Sequence, residues 1–260
     1  MIDQGLPGGR RGYAHAFIAC DPKSGSHGLE IHGVLRRGAT VHGRVLTPDG
    51  QPAQETRMFS RVILDPFIFN PWRHWFNSSG LVLVRNGRFQ IHGLDPDTEV
   101  PVYFLEPRQR LGATVHFSGK SAAGGPATVR LQPCGTAKAR LVDSGGKPIA
   151  GSRAPVPIAG PRGLVPIALV VTPGPIFSRP QERDGDDRLE ADVSALTAID
   201  PLNDGDGPVT DAQGRIAFPA LIPGAPYRIV GLTKAKDFTV KPGETLDLGD
   251  IVIKGPQSTN

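Results

Sequence analysis

The sequence predicts an all-β protein made of two tandem antiparallel β-sandwiches, the second with a short helical insertion. Three observations predict this. Glycine and proline recur along the whole chain, 33 and 26 of 260 residues, which favours short strands and many turns over long helices. Short segments alternate apolar and polar residues, as half-buried strands do. One strand-and-turn pattern, at residues 38–54, returns at residues 135–151.

The composition argues against several classes of protein. The formal net charge is only +4, and no basic stripe is interleaved with aromatics, so nucleic acid is not an expected partner. The only cysteines, Cys20 and Cys134, lie far apart, which argues against a structural disulfide and excludes a paired-cysteine metal site. No apolar run is long enough for a membrane span, and the first 21 residues lack the apolar core of a signal peptide.

Residues 1–36 contain two strand-like stretches, at residues 13–19 and 29–35. Two strands alone are only marginally stable in water. We therefore expect these residues to be the remnant or last strands of a preceding sandwich, in a chain that is a fragment of a longer protein.

The first complete unit is predicted at residues 37–133. Its opening strand alternates from Thr40 to Val45 and is followed by Thr47-Pro48-Asp49-Gly50, which fits a type I turn. Pro52 cannot donate to a sheet ladder, so it belongs at a strand end or an edge. Asn86-Gly87 predicts a hairpin between its neighbours. The further strands predicted are Met58–Leu64, Leu81–Val84, Arg88–Ile91, Val100–Leu105, Ala113–Phe117 and Ala127–Leu131.

The second unit is predicted at residues 134–254 and repeats the first. At an offset of 96, Gly50 and Pro52 match Gly146 and Pro148; at an offset of 127, Gly87-Arg88 matches Gly214-Arg215. The 31 extra residues predict an insertion at about 151–210. A capped helix is expected there, starting near Asp187 and ending at Asp200 before Pro201, because Leu189, Val193, Leu196 and Ile199 form one apolar stripe. Residues 255–260 are expected to be a flexible tail.

The order of these motifs resembles the carboxypeptidase regulatory-like domain, which is related to Cna protein B-type and prealbumin-like sandwiches. The motifs are Gly43-Arg44-Val45, Asp49-Gly50-Gln51-Pro52 and Gly87-Arg88-Phe89, with Arg140-Leu141-Val142, Gly146-Lys147-Pro148 and Gly214-Arg215-Ile216 in the second unit. The resemblance implies two Greek-key sandwiches that serve as an accessory, adhesive or spacer module. It also implies an extracytoplasmic location, and a fold grouped with carbohydrate-binding domains.

One aromatic segment, residues 67–76, is the main candidate for a ligand site. Exposed rings with a polar handle stack on sugars or anchor a protein partner. The alternative is that the segment covers an open sandwich end or the domain junction, since large aromatics usually bury themselves. The candidate ligand-binding residues are Phe69, Trp72, His74, Trp75 and Phe76.

Other site chemistries find little support in the sequence. The carboxylates between Glu182 and Asp206 lack the spacing of a calcium-binding EF-hand loop. The histidines do not converge as zinc ligands and are expected at polar sheet-face positions. No Gly-x-Ser-x-Gly elbow or phosphate-binding glycine loop is present. We therefore expect no enzyme and no cofactor.

The function expected is a structural or interaction module of a larger protein, whose partners are the other domains of that protein. The first alternative is a carbohydrate-binding module that uses residues 67–76, with carbohydrate or a protein as its partner. The second alternative is an accessory region of a peptidase.

Overall fold

The computed structural model describes residues 12–14, 30, 32–60, 81–151, 168–171, 208–230 and 236–253. Strands dominate these ranges, with one short 3-10 helix at Gly119–Gly124, which confirms the all-β class. The strands are β1 Ala39–Leu46, β2 Thr56–Ser60, β3 Leu81–Val84, β4 Arg88–Leu94, β5 Val100–Glu106, β6 Leu111–Phe117, β7 Ala127–Arg130, β8 Gln132–Pro133, β9 Gly135–Val142, β10 Ala168–Val171, β11 Arg215–Leu221, β12 Tyr227–Val230, β13 Lys236–Phe238 and β14 Thr245–Val252.

Strands β1–β8 form the N-terminal sandwich. Its two sheets have the strand orders β4-β1-β7 and β3-β2-β5-β6-β8. They enclose a core that includes Val41, Met58 and Phe104, each fully buried. Phe89 packs against Phe104 and Phe117 with ring centroids 5.2 and 5.8 Å apart, the spacing of favourable tilted aromatic pairs.

Strands β9–β14 form the C-terminal sandwich, with sheets ordered β11-β9-β14 and β10-β12-β13. Its core includes the fully buried Leu141 and Ile229. Tyr227 stacks on Phe238 at a centroid distance of 5.6 Å. The backbone N–H of Ile222 donates to the Tyr227 hydroxyl at 2.7 Å, so this buried polar group is satisfied.

In each sandwich the first strand pairs in parallel with a strand from near the end of the same sandwich. β1 pairs with β7 and β9 with β14 in this way, whereas both first strands pair antiparallel with their other neighbours, β4 and β11. The sequence predicted antiparallel sandwiches, and this edge of each sheet differs. Adjacent parallel strands require a long crossover connection, which the intervening strands of each sandwich supply.

The turn after β1 forms as predicted. The N–H of Gly50 donates to the Thr47 carbonyl at 2.9 Å, and Gly50 has a φ of +85°. Pro52 then forms a bridge with Leu46, at the strand-end position expected for a residue with no N–H. The corresponding turn after β9 has the same Gly146-to-Asp143 bond, at 3.0 Å.

The Asn86-Gly87 turn forms, but the predicted hairpin ladder between β3 and β4 does not. Both residues have positive φ, 51° and 63°, as a type I′ turn requires. However, β3 pairs with β2 and β4 with β1, and only the Arg85–Arg88 bridge joins them. The N–H of Val45 donates to the Gly87 carbonyl at 2.7 Å. This bond draws the chain towards β1, so the turn is a corner between two sheets.

The β4-β1-β7 and β11-β9-β14 sheets share one register. Arg44 pairs with Arg88 on β4, and Arg140 pairs with Arg215 on β11, which reproduces the offsets of 96 and 127 read from the sequence. Both ladders also shift register near the end of the second strand. There Ala220, at φ +58°, has the backbone conformation of its counterpart Gly93, at φ +69°.

Part of the predicted insertion at 151–210 belongs to a sheet. Ser60 of β2 pairs with Val102, and Leu169 of β10 pairs with Ile229, the counterpart of Val102. The offset at β10 is therefore 169 − 60 = 109. The offset is 96 before the insertion and 127 after it. Of the 31 extra residues, 13 therefore precede β10 and 18 follow it. The predicted helix near residues 187–200 lies outside the described residues.

Residues 12–14 run antiparallel to the chain just before β1. Ala14 donates to the Arg36 carbonyl at 2.7 Å and Gly38 to the Gly12 carbonyl at 3.0 Å. Ala14 is buried, and a side chain on Gly38 would meet the Ala14 nitrogen at 2.8 Å. This stretch therefore packs closely on the N-terminal sandwich.

An exposed charge cluster ties the segment just before β1 to the β4–β5 loop. Arg36 contacts Asp95 at 3.2 Å and Asp97 at 2.6 Å, and Lys120 contacts Asp97 at 3.1 Å. The hydrogen bond from Arg36, and then that from Lys120, hold the pKa of Asp97 below its ordinary value of 3.8. The same hydrogen bond raises the pKa of Arg36.

We expect Asp97→Asn to lower the melting temperature slightly at about pH 6, and the difference to shrink as the pH falls below about 4. A carboxylate whose folded-state pKa is depressed stabilises the fold above its unfolded pKa, and this contribution is lost as pH falls through the folded pKa. Below that pH Asp97 is protonated and resembles asparagine. Melting curves of both proteins across this range test the expectation, and a pH-independent difference would contradict it.

Candidate functional site

The candidate ligand-binding residues Phe69, Trp72, His74, Trp75 and Phe76 lie outside the described residues, and their role stays a prediction. The strands around them fix where this segment is attached. Phe59 of β2 pairs with Leu81 of β3, so residues 61–80 leave and rejoin the five-stranded sheet at adjacent strands. The Ser60 hydroxyl donates to the Pro101 carbonyl at 2.7 Å, which places this attachment beside the start of β5.

A charged cleft of about 530 Å³ lies over the β11-β9-β14 sheet of the C-terminal sandwich. Arg140 on β9 donates to Asp250 on β14 at 2.9 Å and to the Gln213 carbonyl at 3.3 Å. The Asp211 carboxylate accepts backbone N–H bonds from Gln213 and Arg215 at 2.9 and 2.8 Å. Three charged side chains of this cleft, those of Arg140, Asp211 and Asp250, are therefore engaged with each other or with the backbone.

Six of the eleven residues that line this cleft are charged. Its lining includes carboxylates, guanidinium groups and a lysine, and no Ser, Cys or His, so it offers no nucleophile with an adjacent base. Asp247 also accepts a backbone bond, from Gly249 at 2.8 Å.

The described histidines lie at separate positions on the N-terminal half of the chain. His42 is exposed on β1, and His92 shares a hydrogen bond with the Thr40 hydroxyl at 3.2 Å. The exposed His32 has its Nε2 atom 3.1 Å from a carboxylate oxygen of Glu30. Within the ranges that the structure describes, no three His, Cys, Asp or Glu side chains converge as metal ligands.

Strand β5 is buried on both faces, a feature that the sequence analysis missed. Val102 and Phe104 belong to the N-terminal core. Tyr103 and Leu105, each 1% exposed, belong to the C-terminal core. The signal was present in Val100–Leu105, which is apolar throughout and does not alternate, as strands covered on both faces do not.

Three further contacts join the two sandwiches beside β5. The Thr114 hydroxyl of β6 donates to the Pro223 carbonyl at 2.8 Å. Gly243 donates to the Pro133 carbonyl at 3.0 Å. A side chain on Gly112 would approach Cys134 Sγ to 3.2 Å and Ile222 Cα to 3.4 Å. The five-stranded sheet thus lines the N-terminal core on one face and the C-terminal core on the other.

Comparisons with known proteins assign this chain to no family. No family model and no curated protein matches it. Similar solved structures include a streptococcal ancillary pilin (13% identity, 85% of this chain and 65% of that one, TM-score 0.29). They also include the shaft pilin SpaA from Lactobacillus rhamnosus GG (12%, 84% and 98%, 0.23) and the Bacillus anthracis TIE protein (10%, 84% and 34%, 0.25).

The chain spans 65% of the ancillary pilin and 34% of the TIE protein. At these TM-scores the likenesses define neither a family nor a function for it. In the described ranges, no helix has both the length and the apolar character needed to cross a membrane.

Proposed function

We propose that this chain is a non-catalytic structural module of a longer, extracytoplasmic protein. In this proposal residues 37–133 and 134–254 are two tandem carboxypeptidase regulatory-like domains, held as one rigid body that spaces or joins other domains. The motifs that resemble this family support the assignment, and so does the register that the Arg44–Arg88 and Arg140–Arg215 pairs share.

The observation that carries the proposal is the burial of Tyr103 and Leu105 in the core of the C-terminal sandwich. Fully burying one leucine contributes about 1.5–3 kcal/mol. Two large side chains and the Thr114–Pro223 hydrogen bond therefore give the junction a coupling that a flexible linker lacks. A spacer needs this property, because a fixed distance between its ends requires a fixed angle at its junction.

We expect the full chain to unfold in one calorimetric transition, with calorimetric and van't Hoff enthalpies that agree. In Gly112→Val the new Cβ would lie 3.2 Å from Cys134 Sγ, and also 3.1 Å from the Phe104 carbonyl oxygen within the N-terminal sandwich. The substitution is expected to strain both this sandwich and the junction and to split the transition in two. Gly124→Val, with open space around the new side chain, is the control and should leave one transition. Two resolved transitions in the unaltered chain would contradict the rigid-body proposal.

A further inference from the structure

Two arginines lie opposite each other on the outer face of the β4-β1-β7 sheet. Arg44 on β1 is registered with Arg88 on β4, and both are exposed. Arg130 is exposed on β7, two positions beyond Thr128, the residue registered with Arg44. Like charges directly opposite each other destabilise a sheet. We call Arg44, Arg88, Arg130 and the exposed His42 the arginine face.

The arginine face has no counter-charge in the described part of the chain. The Arg44 side chain donates from Nε to the Thr128 hydroxyl at 3.2 Å. The described ion pairs of the N-terminal sandwich involve other basic residues, Arg36, Arg108 and Lys120. Guanidinium groups that cluster without carboxylates attract anions, with which they form strong paired hydrogen bonds.

The C-terminal sandwich has carboxylates at the equivalent place. Arg140 and Arg215 form the same cross-strand pair. Here Asp250 on β14 is registered with Arg140 and binds it at 2.9 Å, and Asp247 is registered with Lys138. Both aspartates come from a polypeptide strand that lies alongside β9. The equivalent strand beside β1 is β7, where the residue registered with Arg44 is a threonine.

The net charges of residues 37–133 and 134–254 differ in the same sense as these two sheet faces. Residues 37–133 contain eleven Lys and Arg against seven Asp and Glu, a net charge of +4. Residues 134–254 contain fourteen against fifteen, a net charge of −1. The excess of positive charge in the N-terminal half attracts an anionic partner to the side of the molecule that includes the arginine face.

We propose that the arginine face binds an acidic polypeptide segment in an extended conformation. Its carboxylates take the role that Asp247 and Asp250 have in the C-terminal sandwich. Alternate side chains of an extended segment point the same way, so acidic residues at every second position face the arginines. This site is separate from the buried junction that supports the proposed function, and either proposal can fail alone.

A polypeptide fits the arginine face better than a nucleic acid does. Single-stranded nucleic acids bind through aromatic side chains on which the bases stack. The outward-facing residues of this sheet are Thr40, His42, Arg44, Arg88, Gln90, His92, Thr128 and Arg130, with no Phe, Tyr or Trp among them. The face offers guanidinium forks and hydrogen-bond donors, which match carboxylates.

The test measures binding of a fluorescent peptide of about twelve residues that alternates Glu and Thr. Anisotropy titrations of the full chain are expected to show saturable binding, and none of a Gln-Thr peptide. Arg44→Gln with Arg88→Gln should weaken binding about tenfold or more. Thr128→Asp, which supplies the counterpart of Asp250, should weaken it similarly and raise the melting temperature.

The control removes two positive charges elsewhere, with Arg108→Gln and Lys241→Gln, both at exposed positions. We expect this variant to bind the Glu-Thr peptide within about twofold of the unaltered chain at physiological salt. Equal weakening by the control would show attraction to net charge alone and overturn the proposal. Tighter binding of single-stranded DNA or heparin than of the peptide would overturn the class of partner.

Discussion

Leu105→Ala is expected to destabilise the C-terminal sandwich, although Leu105 belongs to a strand of the N-terminal one. Its side chain is 1% exposed and lies in the C-terminal core. Truncating a fully buried leucine costs about 2–5 kcal/mol, because transfer energy is lost and a cavity remains. Hydrogen exchange followed by mass spectrometry should show the first loss of protection in β9 and β11.

Two control variants make this result specific. Phe104, the preceding residue, faces the N-terminal core, so Phe104→Ala should release β1 and β4 first. Leu83 is 48% exposed on β3, and Leu83→Ala should change the unfolding free energy by less than about 0.5 kcal/mol. If Leu105→Ala reduced protection only in the N-terminal strands, Leu105 would not contribute to the core of the C-terminal sandwich.

Gly214→Ala is expected to cost about 2–4 kcal/mol, which combines the left-handed conformation with overpacking. Gly214 has a φ of +74°, and an added Cβ would lie 2.6 Å from the Leu141 carbonyl oxygen. That carbonyl belongs to the central strand β9 and cannot move without disturbing its ladder. Gly87→Ala should behave alike, since its Cβ would lie 2.7 Å from the Val45 carbonyl oxygen at φ +63°. Urea denaturation measures both changes.

Gly146→Ala separates the two contributions. Gly146 has a φ of +79° but open space around it, so its substitution should cost only the left-handed conformation, about 1 kcal/mol. Equal losses at Gly146 and Gly214 would show that the contact with the Leu141 carbonyl contributes nothing.

The local features of this fold were predictable from the sequence. The bounds of β3, Leu81–Val84, agree with the prediction, and the Thr47–Gly50 turn forms. Such features depend on neighbours in the chain, where the period-two pattern and the turn residues act directly. Which sheet each strand joins depends on distant residues. The hydrogen bond from the distant Val45 to Gly87 therefore determines that the Asn86-Gly87 turn joins two sheets. The two turn residues alone do not determine this.

The candidate sites divide in the same way. Arg44 and Arg88 were both noticed as parts of family motifs, yet their pairing across two strands follows only from the register between segments 44 residues apart. Tyr103 and Leu105 gain their importance from a second sandwich that covers β5. The aromatic residues Trp72 and Trp75 were selected by residue type alone, and their role in ligand binding stays a prediction.

The parallel pairing of β1 with β7 and of β9 with β14 has a mechanical consequence. Force that pulls the start of β1 away from the end of β7 acts along the ladder, because parallel neighbours have their outer ends at opposite ends of the pair. All the hydrogen bonds of the ladder then bear the load together in shear, whereas a terminal hairpin would unzip one bond at a time. A chain in which each of the two sandwiches has such a parallel pair is suited to carrying tension.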